Sequence, residues 1–196
     1  MKKNLKRRDF IKKAGLAGAA ATAVSSFAAP AIAAGHQEWI ICSAFGKAGL
    51  LGQAIQAFAD NINSYSDKLK IKVYHAGELV PGLESLDAVR SGAAQASYGA
   101  PYYWTNLSDA IEFVATCPFG MNAMEQNAWC YYGGGIEEAD KIYNALGLKF
   151  LPMGNTGNQM GGWFNKEINT PDDYKGLKMR MPGLGGRTIE KLGATP

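Results

Sequence analysis

The chain has 196 residues, of which 47% are hydrophobic and 19% charged, a globular composition that suffices for one domain or two small lobes. The net charge of +3 does not indicate a nucleic-acid-binding protein, because residues 1–33 hold seven basic side chains and one acidic one. The rest of the chain therefore carries three more acids than bases.

Residues 1–33 have the pattern of a twin-arginine signal peptide. The basic stretch KNLKRRDFIKK contains Arg7 and Arg8, an Ala-rich apolar stretch follows, and Ala31 and Ala33 form an A-x-A cleavage motif. A membrane anchor is the alternative, but this apolar stretch is shorter than the roughly 20 residues that span a bilayer. We therefore predict export to the periplasm.

After the leader, predicted strands and helices alternate, which favours an α/β fold with mostly parallel strands. The predicted strands, in chain order, are 38–45, 68–77, 93–100, 148–155, 157–166 and 177–183. The predicted helices are 48–66, 79–92, 122–147 with a Gly-Gly-Gly interruption, and 185–193. A further helix start is indicated by Thr170 and Pro171, with two acids in the first turn.

The end of the sequence suggests an incomplete architecture. Pro196 stands where another strand would begin. We expect residues 34–155 to form a first α/β lobe, and residues 156–196 to supply crossing segments and the start of a second lobe that this chain does not complete.

Sequence motifs give little support for catalysis. The two histidines have no nucleophile motif around them, and no metalloprotease motif or P-loop occurs. The pairs Glu137–Glu138 and Asp172–Asp173 fall in first turns of predicted helices, where acids interact favourably with the helix dipole.

The three cysteines, Cys42, Cys117 and Cys130, lack the C-x-x-C spacing of a zinc or redox site. Buried free thiols are the favoured interpretation, and a disulfide between Cys117 and Cys130 remains an alternative.

An aromatic run follows the short predicted strand 93–100. Tyr102, Tyr103 and Trp104 stand where ligands collect in open α/β sheets, at the end of a strand. Lining of a cleft and packing in a core remain equal alternatives for these side chains.

Arg180 is the strongest candidate for a binding residue. Alternation in GLKMRM places Leu177, Met179 and Met181 on one face and Arg180 on the other. Exposure to solvent is the simplest explanation for such a residue. However, Arg180 lies near the end of its predicted strand, Gln159 is a polar residue in the neighbouring one, and a guanidinium grips a carboxylate through two hydrogen bonds.

Three blocks of sequence resemble the solute receptors of tripartite ATP-independent periplasmic (TRAP) transporters, in particular the branch that binds 2-oxo acids such as pyruvate. These blocks are AGELVPGLESLDAVRSGAAQASYG, NAWCYYGGGIEEAD and GNTGNQMGGWFNKEINTPDDYKGLKMRMPGLGGRTIEKLGATP. The resemblance implies a two-lobed periplasmic-binding-protein fold that closes on its ligand by hinge motion. It also implies a membrane permease as partner and a homodimer in the full-length protein.

The resemblance also assigns roles to residues. Arg180 matches the arginine that binds the ligand carboxylate, and Gln159 matches a glutamine that ligates a cation beside the ligand. Tyr103 and Trp104 are expected to close over the ligand. The cation is expected to be Na⁺ or Ca²⁺, held by oxygen atoms, and its other family ligands are expected in a Glu-Trp segment further along, after the position of Pro196.

Other functions remain as alternatives at this point. A receptor for lactate, another hydroxy acid or an aromatic carboxylate would also use Arg180, because this residue recognises only the carboxylate group of the ligand. A periplasmic enzyme exported in folded form is a weaker alternative, and a structural or interaction protein is a third.

Overall fold

The computed structural model describes residues 37–115 and 117–196. The predicted signal peptide, residues 1–33, lies outside the described residues. The strands are β1 (Gln37–Ser43), β2 (Leu69–Tyr74) and β3 (Ala96–Tyr98). The helices are α1 (Leu50–Tyr65), α2 (Ser85–Arg90), α3 (Ala123–Tyr132), α4 (Gly135–Asn144) and α5 (Gly183–Lys191), and short 3₁₀ turns span Gly82–Glu84, Pro101–Trp104, Ile111–Val114 and Pro171–Tyr174.

The three strands form one parallel sheet in the order β2-β1-β3. Parallel neighbours need crossover connections, and here α1 links β1 to β2. The apolar positions predicted for α1 supply its buried side: Ile55 and Ala59 pack against Ile41 and Ile71 of the sheet. The predicted α/β class with parallel pairing is confirmed.

A second apolar core lies under the aromatic run. It joins Leu86 of α2, Trp104, the turn Ile111–Val114, and Ala139 and Tyr143 of α4. Burial raises the pKa of Tyr143 well above its usual range. α3, which precedes α4, starts at a capping box in which Asn122 accepts from Met124 N–H and Glu125 N–H at 2.9 and 3.0 Å.

Three predicted strands are wrong. Residues 148–155 and 157–166 form no strand, and 177–183 contains only one bridge, between Lys178 and Thr195. An extended, apolar-rich segment becomes a strand only when another backbone aligns with it, and in the described part of the chain none pairs along these segments. The first of them is held by side chains instead, through an ion pair between Lys149 and Asp140 that lowers the pKa of Asp140.

The cysteines are free thiols in this fold. Cys42 and Cys130 are buried, and Cys117 is partly exposed. Burial raises the pKa of both buried thiols, which lowers their reactivity. The favoured alternative, unpaired thiols, thus agrees with the structure.

None of the helices in residues 37–115 and 117–196 has the length and apolar character needed to cross a membrane.

Candidate carboxylate-binding site

Arg180 projects outward from an extended segment, as alternation predicts. Leu177, Met179 and Met181 are half-buried, whereas Arg180 is exposed. The backbone of this segment is fixed from one side: Met179 N–H donates to the carbonyl of Thr195 at 3.1 Å, and Thr195 N–H donates to the carbonyl of Leu177 at 2.8 Å. The guanidinium therefore stands on an ordered backbone.

The surroundings of Arg180 leave its charge available. It borders a surface depression of about 470 Å³ that is also lined by Lys178, Met179, Thr195 and Pro196. None of the carboxylates in the described ranges forms an ion pair with it. A positive charge at an apolar-lined depression is suited to an anion from outside the chain.

The positive charge of Arg180 affects the pKa of Tyr102. Burial raises the pKa of the Tyr102 hydroxyl and Tyr103 adds to the rise, while the positive charge of Arg180 acts in the opposite direction. Sequence reasoning kept Tyr102 only as one of three equivalent aromatics. Its position beside Arg180 depends on the packing of the turn Pro101–Trp104 against α5, for which the sequence holds no local signal.

Tyr103 belongs to a row of aromatic rings. Its ring centroid lies 5.0 Å from that of Tyr102 and 6.2 Å from that of Phe45, which in turn lies 5.4 Å from that of Tyr98. Phe45 follows the C-terminal end of β1, the edge at which ligands bind to parallel sheets. The half-buried Tyr103 therefore connects Arg180's neighbour Tyr102 with the strand ends.

Trp104 has a different environment. Only 6% of its surface is exposed, it belongs to the second core, and its Nε1–H donates to the carbonyl of Leu83 at 2.8 Å. Of the two alternatives for this residue, the structure places it in the core. Its polar atom is already used, so any contribution to a cleft would come through the packing of Tyr103 at 6.1 Å between ring centroids.

Gln159 is exposed and is hydrogen-bonded to a residue that lines a second depression. Its Nε2 donates to Thr156 Oγ1 at 2.6 Å. Thr156 lines a depression of about 450 Å³ together with Phe45, Gly46, Ala48, Gly49, Leu50 and Leu51. Arg180 and Gln159 are not hydrogen-bonded to each other. Phe45, which lines the second depression, packs near Tyr103, and Tyr103 packs against Tyr102.

The donor chemistry of Gln159 fits a hard cation. Its amide nitrogen donates to Thr156, and its Oε1 is an oxygen ligand of the type that Na⁺ and Ca²⁺ prefer. One carboxamide oxygen is a small part of a coordination sphere. Within the residues that the structure describes, no three His, Cys, Asp or Glu side chains gather in metal-binding positions.

Known proteins are similar to this chain in sequence and in fold. Residues 44–196 match the family described as "Bacterial extracellular solute-binding protein, family 7", DctP. The chain belongs to this family. This match agrees with the resemblance of its sequence blocks to the solute receptors of TRAP transporters.

The relatives of this chain include a protein named for binding 2-oxoacids. The chain is 40% identical, over 96% of its length and 53% of the relative's, to the "Monocarboxylate 2-oxoacid-binding periplasmic protein" of Nostoc sp. PCC 7120. The chain spans about half the length of the relatives that it matches.

Two crystal structures resemble it closely in fold. The TRAP periplasmic solute-binding protein of Pseudoalteromonas atlantica T6c, with bound sodium and pyruvate, has 43% identity and a TM-score of 0.78. That of Colwellia psychrerythraea, with bound calcium and pyruvate, has 42% identity and a TM-score of 0.79. Each comparison covers 82% of this chain and 50% of the other.

Proposed function

We propose that this protein is the receptor that captures a small 2-oxo monocarboxylate such as pyruvate, together with Na⁺ or Ca²⁺, for a TRAP transporter. The observation that carries the proposal is the exposed guanidinium of Arg180, which forms no ion pair with an acid of the described residues and whose positive charge acts on Tyr102. The pyruvate bound by the two similar crystal structures gives this guanidinium a matching anion.

The proposed binding step is recognition without chemical change. Arg180 receives the ligand carboxylate through charge-assisted hydrogen bonds, and its planar fork orients the ligand. The Tyr102 and Tyr103 rings give the small ligand an apolar boundary. Gln159 Oε1 contributes one ligand to the cation, which would offset the negative charge of the bound acid.

The two-lobed organisation belongs to this proposal. Residues 34–155 would form the first lobe, and residues 156–196 would contribute crossing segments and the start of the second. Closure of two such lobes would exclude water from the Arg180–carboxylate pair. The closed receptor would then deliver the acid to its membrane permease, after export through the signal peptide of residues 1–33.

Calorimetric titration of the full-length protein with pyruvate tests the role of Arg180. We expect Arg180→Ala to weaken binding about 10- to 100-fold, because a charged hydrogen bond contributes about 1.5–3 kcal/mol. Arg180→Lys should fall between wild type and Arg180→Ala, since it keeps the charge and loses the fork. Arg90→Ala is the matched control, because Arg90 is a surface residue that pairs with Asp87 at 3.2 Å. Affinities of both Arg180 variants near that of wild type would refute the carboxylate clamp.

The same titration with and without Na⁺ or Ca²⁺ tests the cation. Gln159→Ala should reduce the dependence of pyruvate affinity on the cation, whereas Gln126→Ala, at a helix position away from both depressions, should leave it unchanged. Equal cation dependence in wild type and Gln159→Ala would remove Gln159 from the site.

A ligand screen by thermal shift separates 2-oxo acids from the other acids that Arg180 could accept. A ligand that binds only the folded state raises the melting temperature. We expect pyruvate to raise it more than lactate or an aromatic carboxylate does, and a reversed order would reassign the ligand class.

A further inference from the structure

Glu112 is a carboxylate in an unusual place. It has 0% exposed surface and sits in the turn Ile111–Val114, whose apolar residues Ile111 and Val114 belong to the second core. Its Oε1 forms an ion pair with Nη2 of Arg187, and neither Oε1 nor Oε2 accepts a hydrogen bond in the described part of the chain. Burying a carboxylate is unfavourable unless its partners compensate, so the contacts of Glu112 need an explanation.

One contact reaches the second turn of α5. Arg187 is half-exposed and bridges two acids: its Nη2 pairs with Glu112, and its Nη1 donates to Asp109 Oδ1 at 3.2 Å. The buried member of the bridge is Glu112, whereas Asp109 is largely exposed. Removal of a charge partner is more consequential at the buried site, where no water replaces it.

Another contact reaches the first residue of the same helix. A Cβ atom built on Gly183 would lie 2.8 Å from Glu112 Oε2 and 2.9 Å from Tyr102 Cβ, so the backbone of Gly183 touches both. A carboxylate at the start of a helix also interacts favourably with the helix dipole. Glu112 therefore holds the first and second turns of α5 against the turn that carries Tyr102.

The segment that carries Arg180 is linked to both ends of α5. It stands three positions before Gly183 in the chain. On the other side, Thr195, just after α5, exchanges backbone hydrogen bonds with Leu177 and Met179. The direction of the Arg180 side chain relative to Tyr102 thus depends on where α5 is fixed.

We propose that Glu112 is a positioning residue for ligand binding, which sets Arg180 against Tyr102 by anchoring α5 through Arg187 and Gly183. This inference rests on the proposed function, since it requires that Arg180 bind the ligand carboxylate. Glu112 itself does not touch the ligand.

Pyruvate titration of the full-length Glu112→Gln variant provides the test. The substitution keeps the shape of the side chain and removes its charge, and we expect affinity to fall about 10-fold, as for loss of a well-aligned charged hydrogen bond. Glu138→Gln is the matched control: it makes the same chemical change in a surface pair with Lys141 and should leave affinity unchanged. Unchanged affinity in folded Glu112→Gln would overturn the inference.

A double-mutant cycle distinguishes positioning from a general loss of stability. If Glu112 acts through Arg180, Glu112→Gln should cost much less affinity in an Arg180→Lys background, where the fork is already lost. The same fold-loss in both backgrounds would show a merely structural role and overturn the inference. Selectivity gives a second readout: Glu112→Gln should lower the preference for pyruvate over uncharged hydroxyacetone.

Arg187→Gln serves if Glu112→Gln does not fold, because Arg187 is half-exposed and the glutamine amide retains N–H groups that can donate to Glu112. It should give the same loss of affinity and of selectivity, and wild-type values for a folded Arg187→Gln would overturn the inference. Failure of the proposed function has a different signature: the wild-type protein itself would not bind pyruvate or another 2-oxo acid.

Discussion

Asn63 binds both backbone polar groups of Ile71. Its Oδ1 accepts from Ile71 N–H at 2.7 Å, and its Nδ2 donates to the Ile71 carbonyl at 2.8 Å. Ile71 lies in β2, an outer strand of the parallel sheet, and one edge of β2 has no strand beside it among the described residues. The amide of Asn63, on α1, takes the place of a neighbouring strand at this point.

Asn63→Ala should lower the free energy of unfolding by about 1–3 kcal/mol, because two backbone groups lose their partner. Urea unfolding of the full-length protein measures this. Asn61→Ala on the exposed side of the same helix is the control and should change stability by less than about 0.5 kcal/mol. Equal effects of the two substitutions would mean that the Asn63 bridge does not stabilise the sheet edge.

Trp104→Phe should act mainly on stability. It removes the Nε1–H that reaches the Leu83 carbonyl and leaves that carbonyl unpaired, a loss of about 1–3 kcal/mol. Trp39→Phe, with a side chain 40% exposed, is the comparison and should cost less. Urea unfolding and pyruvate titration are both measured. A loss of pyruvate affinity without a loss of stability would show that Trp104 acts in the ligand cleft and not in the core.

Gly183→Ala should be more damaging than an ordinary glycine substitution. Gly183 has φ of +62°, where a Cβ is strained, and that Cβ would also contact Glu112 and Tyr102. Gly147→Ala isolates the first effect, because Gly147 has φ of +74° with no atom within 4 Å of its Cβ position. We expect about 1–2 kcal/mol of lost stability for Gly147→Ala, and a larger loss for Gly183→Ala by thermal unfolding. A smaller loss at Gly183 would contradict the close packing of α5.

Asp173 should contribute to stability only above acid pH. Its Oδ2 accepts from Thr170 N–H, Asn169 N–H and Thr170 Oγ1–H at 2.7, 2.9 and 3.0 Å, and these bonds lower its pKa below the usual range of an aspartate. The stabilisation is therefore complete above the unfolded-state pKa and is lost as the pH falls through the lower folded-state value.

Urea unfolding at several pH values tests this dependence. Asp173→Asn should lower stability at neutral pH, and the difference from wild type should shrink as the pH falls below about 4. Asp172→Asn, which leaves the three hydrogen bonds intact, is the control. A difference between Asp173→Asn and wild type that is constant down to pH 2 would show that the charge of Asp173 is not involved.

Local patterns in the sequence determined the positions of several helices and turns and the direction of Arg180. Three predicted features depend on neighbours a few residues away and are present in the structure. They are the apolar spacing of α1, the acids and Pro171 at the turn Pro171–Tyr174, and the alternation that turns Arg180 outward. The family blocks likewise lie within contiguous sequence. Such features follow from periodicity and capping, which act over one or two turns.

Only the tertiary structure decided which segments pair and which charges are buried. Residues 148–166 have strand-like composition, yet no backbone aligns with them in the described chain, and strand formation is a property of two segments rather than one. Glu112 looks like a surface acid within an irregular stretch. Its burial depends on Arg187 and Gly183, which lie far along the chain, and no local pattern could reveal that they meet.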